Sequence, residues 1–213
     1  MSARGWLAAL GLLLGLAAPV GAVELTEGSN YQTIIPAQPT ASAEGIEVSE
    51  YFWYGCPHCY ALEPLLKTWL QTLPKDVVFR RVHADFGRWG AGARLYYALD
   101  AIGEEARLRS ALFDAIHVDR LAYTREADVS DWLVARGVDR GRFSSAYNSA
   151  AVAAKVKEAQ ASTQAHGVDG VPTLVVGGRY RASPTTVGGH EALLAVVDAL
   201  IAKLRAERMS QPR

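Results

Sequence analysis

The chain opens on an almost unbroken apolar run, Trp6 to Ala18, behind a single cation at Arg4 and ahead of Pro19 and the small residues Val20-Gly21-Ala22. That run is short for a bilayer span. It has the charged, apolar and small-residue regions of a secretory signal, with cleavage expected after Ala22. No later stretch is long and apolar enough to span a membrane. Val23 to Glu44 is polar, contains Pro36 and Pro39, and reads as an extended lead-in. Ile46-Glu47-Val48-Ser49-Glu50-Tyr51-Phe52-Trp53 has β character, as does Asp76 to Val82. Between them, Pro57 to about Leu73 reads as a helix. It should be kinked at Pro64 and stopped by Pro74.

Helical spacing then dominates. Arg94–Ile102, Glu104–Ile116, Arg125–Ala135 and Arg142–His166 each carry apolar residues at that period, punctuated by Gly103, Gly137 and Gly141. Strand character returns at Pro172 to Val176. Gly177-Gly178 reads as a hairpin turn, Arg179 to Arg181 as its partner strand, and His190 to Arg208 as a last amphipathic helix. A βαβ half and a ββα half thus flank a helical stretch of roughly 80 residues. This is the layout of an α/β thioredoxin-like fold with a helical domain inserted in its middle. The expected divisions are a signal peptide at 1–22, the first half of the thioredoxin-like domain at 23–85, the helical insert at 86–166 and the second half at 167–213. Two independent domains are the competing layout. They would leave the sheet edges and apolar surface of the first half uncovered.

Composition narrows the chemistry. With 22 basic and 22 acidic residues the formal net charge is zero, so nothing points to nucleic acid. The chain has only two cysteines, Cys56 and Cys59, two residues apart where strand character meets helix. A disulfide closing so short a loop removes little chain entropy. A structural zinc site needs about four ligands, which no second pair supplies. A C-x-x-C at a helix start is better suited to redox chemistry. There the free N–H groups and the helix dipole favour an anion, and the thiolate is the reactive form of cysteine. Cys56 is therefore the expected nucleophile and Cys59, one turn in, the more buried partner. Pro57 suits the first helical position. His58 adds positive charge beside Cys56, or is simply an exposed turn residue.

Phe52-Trp53-Tyr54-Gly55-Cys56-Pro57-His58-Cys59-Tyr60, with Gly167-Val168-Asp169-Gly170-Val171-Pro172-Thr173 far downstream, resembles the DsbA family of exported thiol:disulfide oxidoreductases. The resemblance covers the whole mature chain, and the Pro-His pair between the cysteines is its specific part. It implies a periplasmic protein whose only redox group is the Cys56–Cys59 disulfide, with no metal or other cofactor. That disulfide would pass to unfolded, newly translocated proteins through a mixed disulfide, and a membrane reoxidant of the DsbB type would restore it. It further implies a cis peptide bond at Val171-Pro172, in a loop whose Val171 backbone pairs with an extended client; a trans proline that merely begins a strand is the alternative. Thr173 is read as structural. Glu50 matches a buried acid of the family that would move protons as Cys59 ionises, with Arg81 as its cation; otherwise it is a solvated strand-end acid. A monomer is expected.

Tyr51, Trp53, Tyr54 and Tyr60 would either line a client groove or belong to the core. Trp53 should report the redox state by its fluorescence. Trp69, Trp89 and Trp132 are expected in the core. Three other readings remain open at this point: a disulfide isomerase or reductase, a non-redox peptide-binding chaperone, and a redox sensor. An isomerase usually needs a dimerisation domain, for which the lead-in of about 20 residues is too short.

Overall fold

The computed structural model describes residues 23–42 and 45–210. The expected signal segment, 1–22, lies outside them. β1 is Gln32–Thr33 and β2 is Ile46–Phe52; α1 is Pro57–Leu70 and β3 is Val77–His83. α2 (Gly90–Ala101), α3 (Glu105–His117), α4 (Glu126–Val134), α5 (Arg140–Tyr147) and α6 (Ala150–Ala165) follow. The chain closes with β4 (Thr173–Val176), β5 (Tyr180–Ala182), α7 (Pro184–Val187) and α8 (His190–Ser210).

Among the described residues the strands form one mixed sheet in the order β1-β5-β4-β2-β3. β2 and β3 run parallel, with Glu50 opposite Arg81, and α1 makes the crossover between them. β4 lies antiparallel to β2, with Glu50 opposite Leu174. The β4–β5 hairpin turns at Gly177-Gly178, both with positive φ (58° and 64°), the backbone a two-residue type I′ turn demands. β2 lies inside the sheet between β4 and β3 and is buried along its whole length, so its polar residues Glu47, Ser49 and Glu50 are buried with it. On one face Ile46 and Val48 pack with Leu62 and Leu66 of α1 and with Leu193, Val197 and Leu200 of α8. On the other, Tyr51 packs with Val82 and with Ala159 of α6. This is a thioredoxin-like α/β fold with a helical insert between its halves.

The insert's own core joins Leu95, Leu99, Leu112, Phe113, Leu133 and Phe143 to Phe52, Tyr54, Cys56 and Cys59. The two cysteines therefore sit where sheet and insert meet.

Several boundaries differ from those read in the sequence. The lead-in contributes the short strand β1, held antiparallel on β5, and α7 was not expected. α1 ends at Leu70 because Gln71 N–H and Thr72 N–H turn back to Thr68 and Trp69 carbonyls in tightened bonds. The single helix expected over Arg142–His166 is two. Ser149 interrupts it, its Oγ accepting from Val152 N–H (3.1 Å) as the cap of α6. α2 starts four residues early, because the Asp85 carboxylate accepts from Gly87 and Trp89 N–H and organises the turn before it. Trp69 is buried, its indole donating to Asp198 (2.9 Å). Trp89 and Trp132 are only half-buried. Trp89 stacks flat on Trp53 (4.3 Å), and Trp132 lies under the Arg136 guanidinium.

Candidate active site

Cys56 is the residue on which α1 begins. Its backbone is extended (φ −87°, ψ 118°), Pro57 follows at the first helical position, and no side chain caps the helix. The first N–H groups of α1 are thus left for the sulfur itself. Cys56 is 6 % exposed and Cys59 1 %, and both are free thiols. The Cys56 thiol is held down to about 6, from an ordinary value near 9. The largest cause is the Cys59 thiol, which donates a hydrogen bond to the Cys56 sulfur. Burial opposes it, and the backbone N–H groups of Cys59 and His58 assist it. The charge of His58 is the smallest of these contributions, and His58 is exposed. Cys59 moves the other way. Burial, donation to Cys56, the thiolate's charge and the charge of Glu50 push its thiol well above the usual range. One cysteine is thus easily ionised and its neighbour is not.

The Val171-Pro172 peptide is cis and faces the dithiol. When protonated, Cys56 Sγ donates to the Val171 carbonyl at 3.4 Å. Beside it lies a groove of about 300 Å³, lined by His58, Gly170, Val171, Pro172, Pro184 and His190 among others. Thr173 Oγ1 donates to the Gly170 carbonyl (2.8 Å), bracing the loop.

Beneath the dithiol, Glu50 is 2 % exposed. The Arg81 guanidinium spans two carboxylates, Nε donating to Glu50 Oε2 at 2.7 Å and Nη2 to Glu63 Oε2 at 3.1 Å. Burial is the largest influence on both acids and raises both, Glu63 to about 7, although Arg81 pulls each down. Glu63 borders open space, a cavity of about 390 Å³ between α1 and α3. A second buried pair lies nearby. Glu105 accepts from Tyr54 Oη (2.8 Å) and from Arg109 through both guanidinium arms. Sequence reading brought out Glu50 and Arg81 but missed Glu63, Glu105 and Arg109. Glu63 stands four residues after Cys59, on the same face of α1. That spacing was its one visible signal. Glu105 and Arg109 reach the site only through the insert.

Among the described residues no group of three or more His, Cys, Asp or Glu is arranged to hold a metal ion. No described helix is long and apolar enough to cross a membrane.

Fold and site together define a dithiol–disulfide oxidoreductase on a thioredoxin scaffold. Residues 47–200 match the family described as DSBA-like thioredoxin domain. The chain is 39 % identical over 199 residues to the thiol:disulfide interchange protein DsbA of Pseudomonas aeruginosa, covering 93 % of both chains. It is 39 % identical over 195 residues to that of Pseudomonas syringae pv. tomato, covering 91 % of each. The crystal structure of Pseudomonas aeruginosa DsbA superposes with a TM-score of 0.84 at 38 % identity, over 87 % of this chain and 97 % of that one. DsbA from Xylella fastidiosa does so with 0.80 at 33 % identity, over 85 % and 98 %. The chain belongs to the DsbA family of thiol:disulfide oxidoreductases.

Proposed function

We propose that this oxidoreductase works as a dithiol oxidase in the periplasm, passing its Cys56–Cys59 disulfide to newly translocated proteins. A client thiolate attacks Cys56 Sγ, the Cys56–Cys59 bond breaks, and Cys59 leaves with the electron pair and takes up a proton. The client's second thiolate then attacks its own sulfur in the mixed disulfide, and Cys56 leaves as a stabilised thiolate. The client loses two electrons and two protons; the protein's disulfide gains both electrons, Cys59 keeps one proton and the other goes to solvent. Glu50, buried and inclined to hold a proton, is the group assigned to proton exchange with Cys59. Arg81 cannot release its own proton usefully and serves to hold the carboxylates. Pro57 and His58 shape and charge the turn, and the Val171-Pro172 loop receives the client backbone as an added strand.

The observation that carries this reading is the asymmetry of the two sulfurs, one thiol lowered to about 6 and the other raised. A stabilised thiolate exists only in the reduced protein, so it drives the disulfide toward reduction. The reading includes a signal peptide at 1–22 cleaved after Ala22, and an insert at 86–166 between domain halves 23–85 and 167–213. It also includes a monomeric protein, a membrane reoxidant of the DsbB type and no cofactor besides the disulfide.

Equilibration with glutathione buffers, followed by Trp53 fluorescence, tests the direction of transfer. The expected potential lies well above about −200 mV. A value at or below about −270 mV, where thioredoxin-type reductants operate, would turn the reading into that of a reductase.

A further inference from the structure

The four residues that deliver Cys56 form a tight turn. Cys56 N–H donates to the Trp53 carbonyl at 3.0 Å, which makes Tyr54 and Gly55 the two central residues. Such a turn has two common forms, which differ by a half-rotation of the central peptide. The second form needs positive φ at its third residue. Gly55 is the residue type that could adopt it, yet its φ stays out of the left-handed region. With glycine at this position both forms are open to the chain, so contacts on the Tyr54–Gly55 peptide can decide between them.

Two histidines contact the Tyr54 backbone, one at each end. His117, the last residue of α3 in the insert, donates from Nε2–H to the Tyr54 carbonyl at 2.8 Å. A carbonyl can only accept, so the proton is on Nε2. His83, at the end of β3, accepts the Tyr54 N–H at Nε2 (3.4 Å), while its Nδ1–H donates to the Ala84 carbonyl (3.1 Å). Burial keeps His83 neutral, with its value pushed down to about 3. The His117 ring is fixed in turn. It stacks on Tyr60 with planes 3° apart and centroids at 4.8 Å, and Tyr60 Oη donates to Asp114 Oδ1 at 2.7 Å. The last turn of α3 therefore grips the chain two residues before Cys56 and again one residue after Cys59.

We propose that His117 is a positioning residue for the Cys56 sulfur: its hydrogen bond to the Tyr54 carbonyl, opposed by His83 at the Tyr54 N–H, locks the Trp53–Cys56 turn and so fixes Cys56 against the Val171-Pro172 loop. Rotation of the central peptide would carry the Tyr54 carbonyl off the imidazole and re-aim the backbone leading into Cys56. This assignment rests on the reading of Cys56 as the sulfur that exchanges with the client. It gives the insert a part in the reaction, through a residue that acts on the backbone leading into Cys56.

His117→Phe keeps an aromatic ring on Tyr60 and removes the donor. His117→Gln places an amide N–H near the position of Nε2. The rate at which each variant oxidises a dithiol peptide, with oxidised glutathione restoring its disulfide, is measured at pH 8, where the departing Cys56 sulfur stays ionised. His117→Phe is expected to fall about tenfold or more in kcat, with KM little changed, because misplacement of a reacting group by a fraction of an ångström costs that much. His117→Gln should stay within about threefold of the parent. A parental rate in His117→Phe would overturn the lock, and so would an equal loss in both variants. If His117→Phe does not fold, the parent protein decides the matter by NMR. A scalar coupling between His117 Nε2 and the Tyr54 carbonyl carbon is expected, and a ring protonated only at Nδ1 would overturn the proposal. Cys56→Ser serves as the control: turnover by that variant would remove the assignment of Cys56 as the exchanging sulfur and the lock together, whereas its inactivity beside a parental His117→Phe removes the lock alone.

Discussion

Replacing Cys59 with serine is expected to turn a turnover catalyst into a trap, whereas replacing Cys56 with serine leaves nothing that reacts. At pH 7 a thiol lowered to about 6 is about nine-tenths ionised. A thiol raised well above 9 is ionised to less than about 1 %. The thiolate is the reacting species, so Cys56 should be alkylated at least about a hundredfold faster than Cys59. In Cys59→Ser the Cys56 thiolate still attacks a disulfide, such as oxidised glutathione, and no second thiol displaces the adduct. The mixed disulfide then accumulates and is counted by intact mass. In Cys56→Ser the remaining thiol is 1 % exposed and deep in the insert's core, so no adduct should form. Normal disulfide formation in clients by Cys56→Ser would instead favour a peptide-binding chaperone with incidental thiols. Equal alkylation of both cysteines would remove the asymmetry on which the mechanism stands.

The second large effect is a difference in stability between redox states that grows with pH. Cys56 is lowered by folding, so its thiolate stabilises the reduced fold fully above the unfolded value near 9. The contribution fades as pH falls and is gone below about 6. Lowering the thiol from near 9 to about 6 corresponds to about 4 kcal/mol at alkaline pH and about 1.4 kcal/mol at pH 7, upper bounds because solvent reaches part of the site. The oxidised protein has no thiolate and gains nothing. Denaturant unfolding of both forms between pH 5 and pH 9 is expected to show the reduced form gaining on the oxidised one steadily above pH 6. The potential must follow the same chemistry. Two protons accompany two electrons below about pH 6 and one above it, so the slope should change from about 59 to about 30 mV per pH unit. A slope that stays at about 59 mV per pH unit across this range would mean that no thiolate forms there.

How much of this could be read from the chain depends on how local each feature is. The strand, the C-x-x-C and Pro57 at the helix start lie within some fifteen residues, and the hydrophobic pattern placed them well. Glu50 was legible because β-strand alternation puts it on the inner face with Val48 and Phe52. Arg81 came from the family resemblance alone, and the parallel register of β2 on β3 is what sets it opposite Glu50. The source of the Cys56 shift was only half legible. Helix N–H groups could be inferred from the motif, but the leading contribution comes from the Cys59 thiol, whose aim is set by packing against Phe52, Tyr54 and the insert. His117, Glu105 and Arg109 sit on an amphipathic helix whose polar face looks, in sequence, like any solvated one. Only the docking of α3 against α1 brings them to the dithiol. Trp89 shows the same limit in reverse. Its spacing suggests core, yet Asp85 starts α2 early and leaves the indole stacked on Trp53 beside the active site.

The most direct test is a thiolate titration of the reduced protein by absorbance near 240 nm, with Cys59→Ser and Cys56→Ser alongside. The parent is expected to gain one thiolate with a midpoint of about 6 and no second one up to pH 9. Cys59→Ser should titrate higher than the parent, because the leading donor to the Cys56 sulfur is gone or weakened, and Cys56→Ser should stay silent across the range. A parent midpoint at about 8 or above, the range of an ordinary thiol, would contradict the claim that this fold holds Cys56 as an anion.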